Sequence, residues 1–200
     1  MMPTVLSWDH PNTAAAVEMA LETGQTLIFP TDTVYGIGGN PWDERTLNHV
    51  CRLKERTPGQ PFTLHLWHIS EIGTYTQCEP EMLRIIDQLL PGPYTLLLPA
   101  GPRAPRSAVL DGKVGVRVPD HPFFDSVMSH LGRPLFGTSV NRHGEPPLND
   151  VDAIIDRFGA VDLILTGPVG LDPSALLDLS TDPPRVLRGE GPADLGKTLQ

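Results

Sequence analysis

The chain has 200 residues, 40% hydrophobic and 20% charged, a composition that suits one globular domain and excludes an intrinsically disordered segment. Its 22 prolines and 19 glycines follow no fixed period, which excludes collagen, coiled coil and solenoid and marks them as turn punctuation. A formal charge of −9, with 24 carboxylates against 12 arginines and 3 lysines, disfavours non-specific nucleic-acid binding over most of the surface.

The predicted elements alternate in type along the chain. Residues 13–22 (TAAAVEMALE) read as a helix, with Asn12 or Thr13 as its cap and Gly24 as its stop. A β-prone run at 25–29 ends at Pro30. Asp43 is placed to cap a helix over 44–53, whose Leu47, Val50 and Cys51 recur at helical spacing. A strand over 61–66, a helix over 79–90 halted by Pro91-Gly92-Pro93, and strands over 94–98 and 114–118 follow. A helix after Pro122 to about His130, a strand at 134–138, a helix from Asp150 to Phe158, and strands at 161–165, 175–179 and 185–187 complete the series. The last ten residues are expected to fray. Strands alternating with short helices predict an α/β or interleaved α+β fold with a mixed sheet, as a single domain over 1–200. No apolar run reaches the roughly 18–20 residues of a membrane span. The N-terminus lacks a signal peptide's basic and apolar regions, and Cys51 and Cys78 read as reduced thiols. A cytoplasmic protein with no membrane partner is expected.

Five segments carry candidate chemistry. Phe29 to Gly39 (FPTDTVYGIGG) leaves a strand with two hydroxyls, a carboxylate and three glycines, a turn that brings backbone N–H groups near a ligand. It is neither a Walker A loop nor a dinucleotide fingerprint, and an ordinary turn explains it equally well. Lys54 and Arg56 suit a polyphosphate, although cations at a helix C-terminus also favour its dipole by about 0.3–1 kcal/mol. Arg117, in the apolar run VGVRVP, is either a clamp on a carboxylate or an outward-facing surface arginine. Ser139 and Asn141 end another strand, and Ser174 lies before Arg185 and Arg188. His65 and His68 lack a companion ligand at metal spacing, so no metal site is expected. No nucleophile elbow or reactive cysteine is present, which disfavours covalent catalysis.

In chain order, FPTDTVYGIGGNP, KERTPGQPFTLHL, PGPYTLLLPAG, VGVRVPDHP, GTSVNRHGEP, PSALLDL and VLRGEG resemble the YrdC/YciO family, which includes the threonylcarbamoyl-AMP synthases. The resemblance covers about residues 12–191. It implies a twisted mixed sheet with flanking helices around a concave, positively charged cavity. It also implies a reaction joining L-threonine, bicarbonate and ATP, with Mg2+, into threonylcarbamoyl-adenylate and pyrophosphate. Downstream threonylcarbamoyltransferase proteins then modify adenosine 37 of tRNA, and weak tRNA or double-stranded RNA binding is a further implied property. By the same resemblance, Lys54 and Arg56 face the ATP phosphates as the catalytic cations. Ser139, Asn141 and Arg188 hold the nucleotide, and Thr33, His65, Arg117 and Ser174 hold threonine. Three positions depart from the family pattern: Gln60 stands where a second lysine is common, His143 where a serine is usual, and Ala175 follows Ser174 in place of threonine. With FTLHLWHISEIGTYTQ they lean towards the YciO-type branch, so the alternative is a nucleotide- or RNA-binding paralogue with weak or no synthase activity.

Overall fold

The computed structural model of the chain describes residues 2–57 and 59–193. Its elements run β1 (Thr4–Ser7), α1 (Thr13–Thr23), β2 (Leu27–Phe29), β3 (Gly36–Gly39), α2 (Glu44–Leu53), β4 (Thr63–His65), α3 (Ile72–Tyr75), α4 (Pro80–Leu89), β5 (Tyr94–Pro99), β6 (Val109–Leu110) and β7 (Lys113–Arg117). A π-helical segment (Phe124–Met128) then leads into α5 (Ser129–Leu131), β8 (Leu135–Ser139), α6 (Val151–Phe158), β9 (Leu163–Thr166), β10 (Ala175–Asp178) and β11 (Arg185–Arg188). The fraying expected at the C-terminus falls mostly on residues 194–200, outside those described.

Local chemistry sets these boundaries. Asp43 Oδ1 accepts the N–H groups of Arg45 (2.8 Å) and Thr46 (3.3 Å) at the start of α2. Asp150 Oδ1 accepts that of Ala153 (2.9 Å) at the start of α6. Gly24, at φ +73°, closes α1 in the left-handed conformation that glycine adopts without penalty. Asn12 stands at the other end of α1 but makes no side-chain cap, while Thr13 Oγ1 donates instead to Ser7 O at 2.7 Å.

Among the described residues, eleven strands form one sheet in the order β1-β9-β2-β3-β8-β4-β7-β5-β10-β11, with β6 pairing on β7. The pairs β1/β9, β9/β2, β4/β7 and β5/β10 are parallel and the others antiparallel, which makes the sheet mixed as expected. Alternate residues serve opposite faces. Phe29 and Leu135 join Phe123, Phe124 and Val17 of α1 on one side, while Ile28 and Phe136 join Val50 of α2 and Ile154 of α6 on the other. A third apolar cluster, built from Leu64, Val116, Leu96 and Leu177, lies under α3 and α4.

The sequence reading had no counterpart for β1, β3, α3 or β6, and the helix expected after Pro122 forms largely as a π-helical turn. The segment Gly36–Gly39, read above as part of a turn, is a strand that only glycine allows. A Cβ on Gly38 would lie 1.8 Å from the carbonyl oxygen of Phe136 in β8, and one on Gly36 2.6 Å from the Phe29 ring. Among the described residues no helix is long and apolar enough to cross a membrane.

Candidate active site

The register of the sheet gathers the polar residues. His65 at the end of β4 lies directly beside Arg117 at the end of β7, and Gly36 of β3 lies beside Ser139 of β8. These ends, the 30–35 loop, and the segment entering β10 enclose a cavity of about 100 Å3. Thr33, His65, Arg117, Ser139, Ser174 and Arg188 all line it. It adjoins a hollow of about 430 Å3 that shares Thr63, Thr95, Thr138 and Arg188 and is walled by Arg56, Phe62, Leu97, Leu176 and Leu187.

Arg117 is buried, which settles its orientation: it faces the cavity rather than bulk water. Its Nη1 donates to Thr33 Oγ1 (2.6 Å) and its Nη2 to Asp32 Oδ1 (2.5 Å). Its Nε is buried with no partner among the described residues. Burial lowers the Arg117 pKa and the Asp32 carboxylate raises it; burial raises that of Asp32 and Arg117 lowers it. The Thr31 hydroxyl donates to Val34 O (2.7 Å), so the Thr33 hydroxyl 3.0 Å away must donate to Thr31. Thr33 therefore has no proton to offer a ligand and only a lone pair left.

His65 packs edge-on against Phe29 (ring centroids 5.5 Å apart) and stacks on Phe124 (6.1 Å). Burial and the Arg117 charge push its pKa down to about 3, so the imidazole is neutral. Its Nδ1 lies 3.2 Å from Thr63 O and must donate there, leaving Nε2 as a bare acceptor. Gly137 makes room for this ring, since a Cβ there would stand 2.9 Å from His65 Cε1. Across the cavity the Ser174 and Thr95 hydroxyls meet at 2.8 Å, and Arg188 Nη2 donates to Ser174 O at 3.0 Å.

Lys54, placed at the C-terminus of α2 as the sequence suggests, is 3% exposed and lines neither hollow. Its ammonium meets Ser139 O (2.5 Å), Asn141 O (2.8 Å) and Asn141 Oδ1 (2.9 Å), because a buried cation must find acceptors. Burial and nearby Arg56 push its pKa down to about 7, while the three oxygens favour the charged form. Asn141 lines neither cavity and serves the same turn: Ser139 Oγ donates to its Oδ1 at 2.6 Å. Arg56 reaches the larger hollow, with its guanidinium carbon 4.6 Å over the Phe62 ring and bonds to Gln60 Oε1 (2.9 Å) and Pro61 O (2.7 Å).

The sequence places Asp32 and Tyr35 in the candidate 29–39 segment without separate roles and gives no role to Thr63 or Thr95. Tyr35 Oη accepts from Gly167 N (3.0 Å) and donates to Gly167 O (2.7 Å), pinning the 167–174 loop that carries Ser174. Thr63 and Thr95 interrupt apolar strand runs, and that break in pattern was the available signal.

The arrangement defines a class: a mixed α/β protein with a small cavity at strand ends, lined by hydroxyls, a histidine and two arginines. Residues 19–189 match the Sua5/YciO/YrdC family, described as telomere recombination. The chain belongs to this family. It is 32% identical over 185 residues to the Escherichia coli K12 "Uncharacterized protein YciO", covering 90% of this chain and 89% of that one. It is 33% identical over 175 residues to a threonylcarbamoyl-AMP synthase of Vibrio vulnificus, covering 83% and 93%. Its fold matches the E. coli YciO crystal structure (TM-score 0.85, 30% identity, 96% and 98% covered). It also matches P. abyssi Sua5 complexed with L-threonine (TM-score 0.80, 26% identity), covering 94% of this chain but only 56% of that one.

Proposed function

We propose that the chain, working as a single domain, is an L-threonylcarbamoyladenylate synthase that joins L-threonine, bicarbonate-derived CO2 and ATP and releases pyrophosphate. The observation that carries this reading is Arg117: a buried guanidinium lining the cavity beside a neutral histidine, with an Nε that nothing among the described residues pairs. A buried guanidinium with hydrogen-bonding capacity to spare beside its ion pair calls for a further acceptor, and a carboxylate matches its fork. The threonine carboxylate binds Arg117, and its hydroxyl donates to His65 Nε2 or to the remaining lone pair of Thr33. Ser174 closes the far side.

ATP lies across Arg188 and the Ser139 end of β8, with Arg56 at the mouth of the larger hollow. Lys54 acts through the Ser139–Asn141 turn that it ties down. The threonine amine loses a proton and takes up CO2 as a carbamate, whose oxygen attacks the α-phosphorus as pyrophosphate leaves. Charge builds on phosphate oxygens, so positioned cations and N–H groups serve without a protein nucleophile. Mg2+ accompanying ATP would neutralise charge on its phosphates. The product goes to downstream transferase proteins that modify adenosine 37 of tRNA, in the cytoplasm; any direct RNA contact is weak on so acidic a chain.

Gln60 favours a second reading, a YciO-type paralogue of low synthase activity, because an amide rather than a second cation stands beside Arg56. Incubation with ATP, threonine, bicarbonate and Mg2+, followed by detection of threonylcarbamoyl-adenylate and pyrophosphate, tests both. Product at a catalytic rate supports the synthase. Nucleotide binding without product supports the paralogue.

A further inference from the structure

Among the described residues Asp32 is the one carboxylate bonded to Arg117. The ion pair is short (2.5 Å) and little exposed, with side-chain exposures of 5% for Arg117 and 14% for Asp32. The neighbouring backbone holds it there, since a Cβ on Gly170 would lie 2.7 Å from Asp32 O and 2.8 Å from Thr33 O. Asp32 takes one bond from Nη2 and Thr33 one from Nη1, so each Nη keeps a second hydrogen while Arg117 lines the cavity. Asp120 adds negative charge near Asp32, whereas His65 beside Arg117 is neutral and His121 is shifted downward by burial. Arg188 lies on the Ser174 side of the cavity.

A carboxylate held by Arg117 alone would meet a net positive site, and any small organic anion would satisfy it. With Asp32 in place the pair is close to neutral, and the negative charge lies within a few ångströms of whatever group is attached next to that carboxylate. An α-ammonium there is attracted, whereas a plain carboxylic acid gains nothing to offset the repulsion. We propose that Asp32 is a specificity-determining residue that makes this cavity select a zwitterionic α-amino acid over the corresponding deaminated carboxylate. The inference rests on the reading of Arg117 as the carboxylate anchor of threonine.

Two unit charges about 5 Å apart in a partly buried site interact strongly enough to shift an affinity ratio tenfold or more. The test is equilibrium binding, without ATP, of L-threonine and of (R)-3-hydroxybutyrate, which is threonine without its amine. The wild-type chain is expected to prefer threonine by more than about tenfold. Asp32→Asn keeps the shape and a hydrogen-bond acceptor but removes the charge, and the preference should fall at least about tenfold. Asp32→Glu keeps the charge and should keep the preference; Asp32→Ser carries the same expectation as the amide should Asp32→Asn fail to fold. A purely structural role for Asp32 would weaken both ligands together and leave the ratio unchanged, which overturns the inference. A wild-type chain that binds threonine without preference overturns it as well. A wild-type chain that binds neither compound overturns the threonine reading itself, and the inference with it.

Discussion

A lysine ammonium has three hydrogens, and at Lys54 all three meet oxygens of the Ser139–Asn141 turn, so its removal acts first on structure. Lys54→Met would take this donor from Ser139 O and Asn141 O and leave Asn141 Oδ1 with Ser139 Oγ alone, at about 1–3 kcal/mol for each acceptor left unpaired that water does not reach. We expect a melting point lowered by many degrees together with weakened ATP binding. Arg56 is different, since its guanidinium lies over Phe62 at a hollow's rim. Arg56→Ala should leave the melting point within a few degrees while raising the KM for ATP tenfold or more; thermal melts and ATP titrations on the two variants separate the roles. Equal loss of stability in both would show that Arg56 is also a structural tie. Arg117→Lys should raise the threonine KM sharply, because one ammonium cannot serve Asp32, Thr33 and two substrate oxygens. The bare Nε2 of His65 has no donor when the ligand lacks a hydroxyl, so serine should be used more readily than valine despite valine's closer shape. Steady-state kinetics with the three amino acids decide this, and equal use of serine and valine would overturn the placement of the threonine hydroxyl.

Elements near the cavity depend on close backbone approach. In β3, Gly38→Ala would drive a Cβ to 1.8 Å from a backbone carbonyl, which cannot rotate away as a side chain can. The β3/β8 pairing carries Gly36 beside Ser139, so separating the strands also spoils the cavity wall. Loss of more than about 3 kcal/mol is expected, measured by urea unfolding. Gly112→Ala is the control, since only its φ of +74° is strained and its Cβ meets nothing. The same strand shows what the sequence could not convey. Apolar runs bounded by Pro or Gly made β2, β5, β7 and β9 legible, and Asp43, Asp150 and Gly24 marked helix ends through capping chemistry. Gly36-Ile-Gly-Gly39 carries little strand propensity, and its strand rests on backbone pairing with β2 just before it and with β8 far along the chain. The site divides in the same way. Arg117 stood out as a cation in an apolar run, whereas Asp32 became its partner only through the register of β4 and β7 and the return of the 30–35 loop. Lys54 looked like a helix-end charge because nothing local reveals that the following chain turns it inward.

Across the whole molecule the sheet joins three apolar clusters, and His65 lies at the junction between the one holding Phe29 and Phe124 and the one holding Leu64. Its depressed pKa is therefore a statement about global stability. Unfolded, the imidazole titrates near 6.5; folded, it resists protonation until about 3. Below pH 6.5 the unfolded chain thus binds a proton that the folded chain refuses, and stability falls as pH falls. Above 6.5 both states are neutral at this site and the contribution is constant. The slope approaches about 1.4 kcal/mol per pH unit, and the whole interval amounts to roughly 5 kcal/mol. That is a large part of an ordinary domain's stability of about 5–15 kcal/mol. Asp32 works against it, because its raised pKa lets the folded state take up a proton more readily at low pH. The His65 share is isolated by comparison with His65→Asn, whose amide can donate to Thr63 O in place of Nδ1. At pH 7 the variant should be the less stable of the two through lost packing against Phe29 and Phe124. Between pH 6.5 and 4 the wild type should lose stability faster, so that the gap narrows by about 1.4 kcal/mol per unit. Urea unfolding at half-unit steps measures this, and a gap that stays constant with pH would mean that His65 is not a buried neutral imidazole.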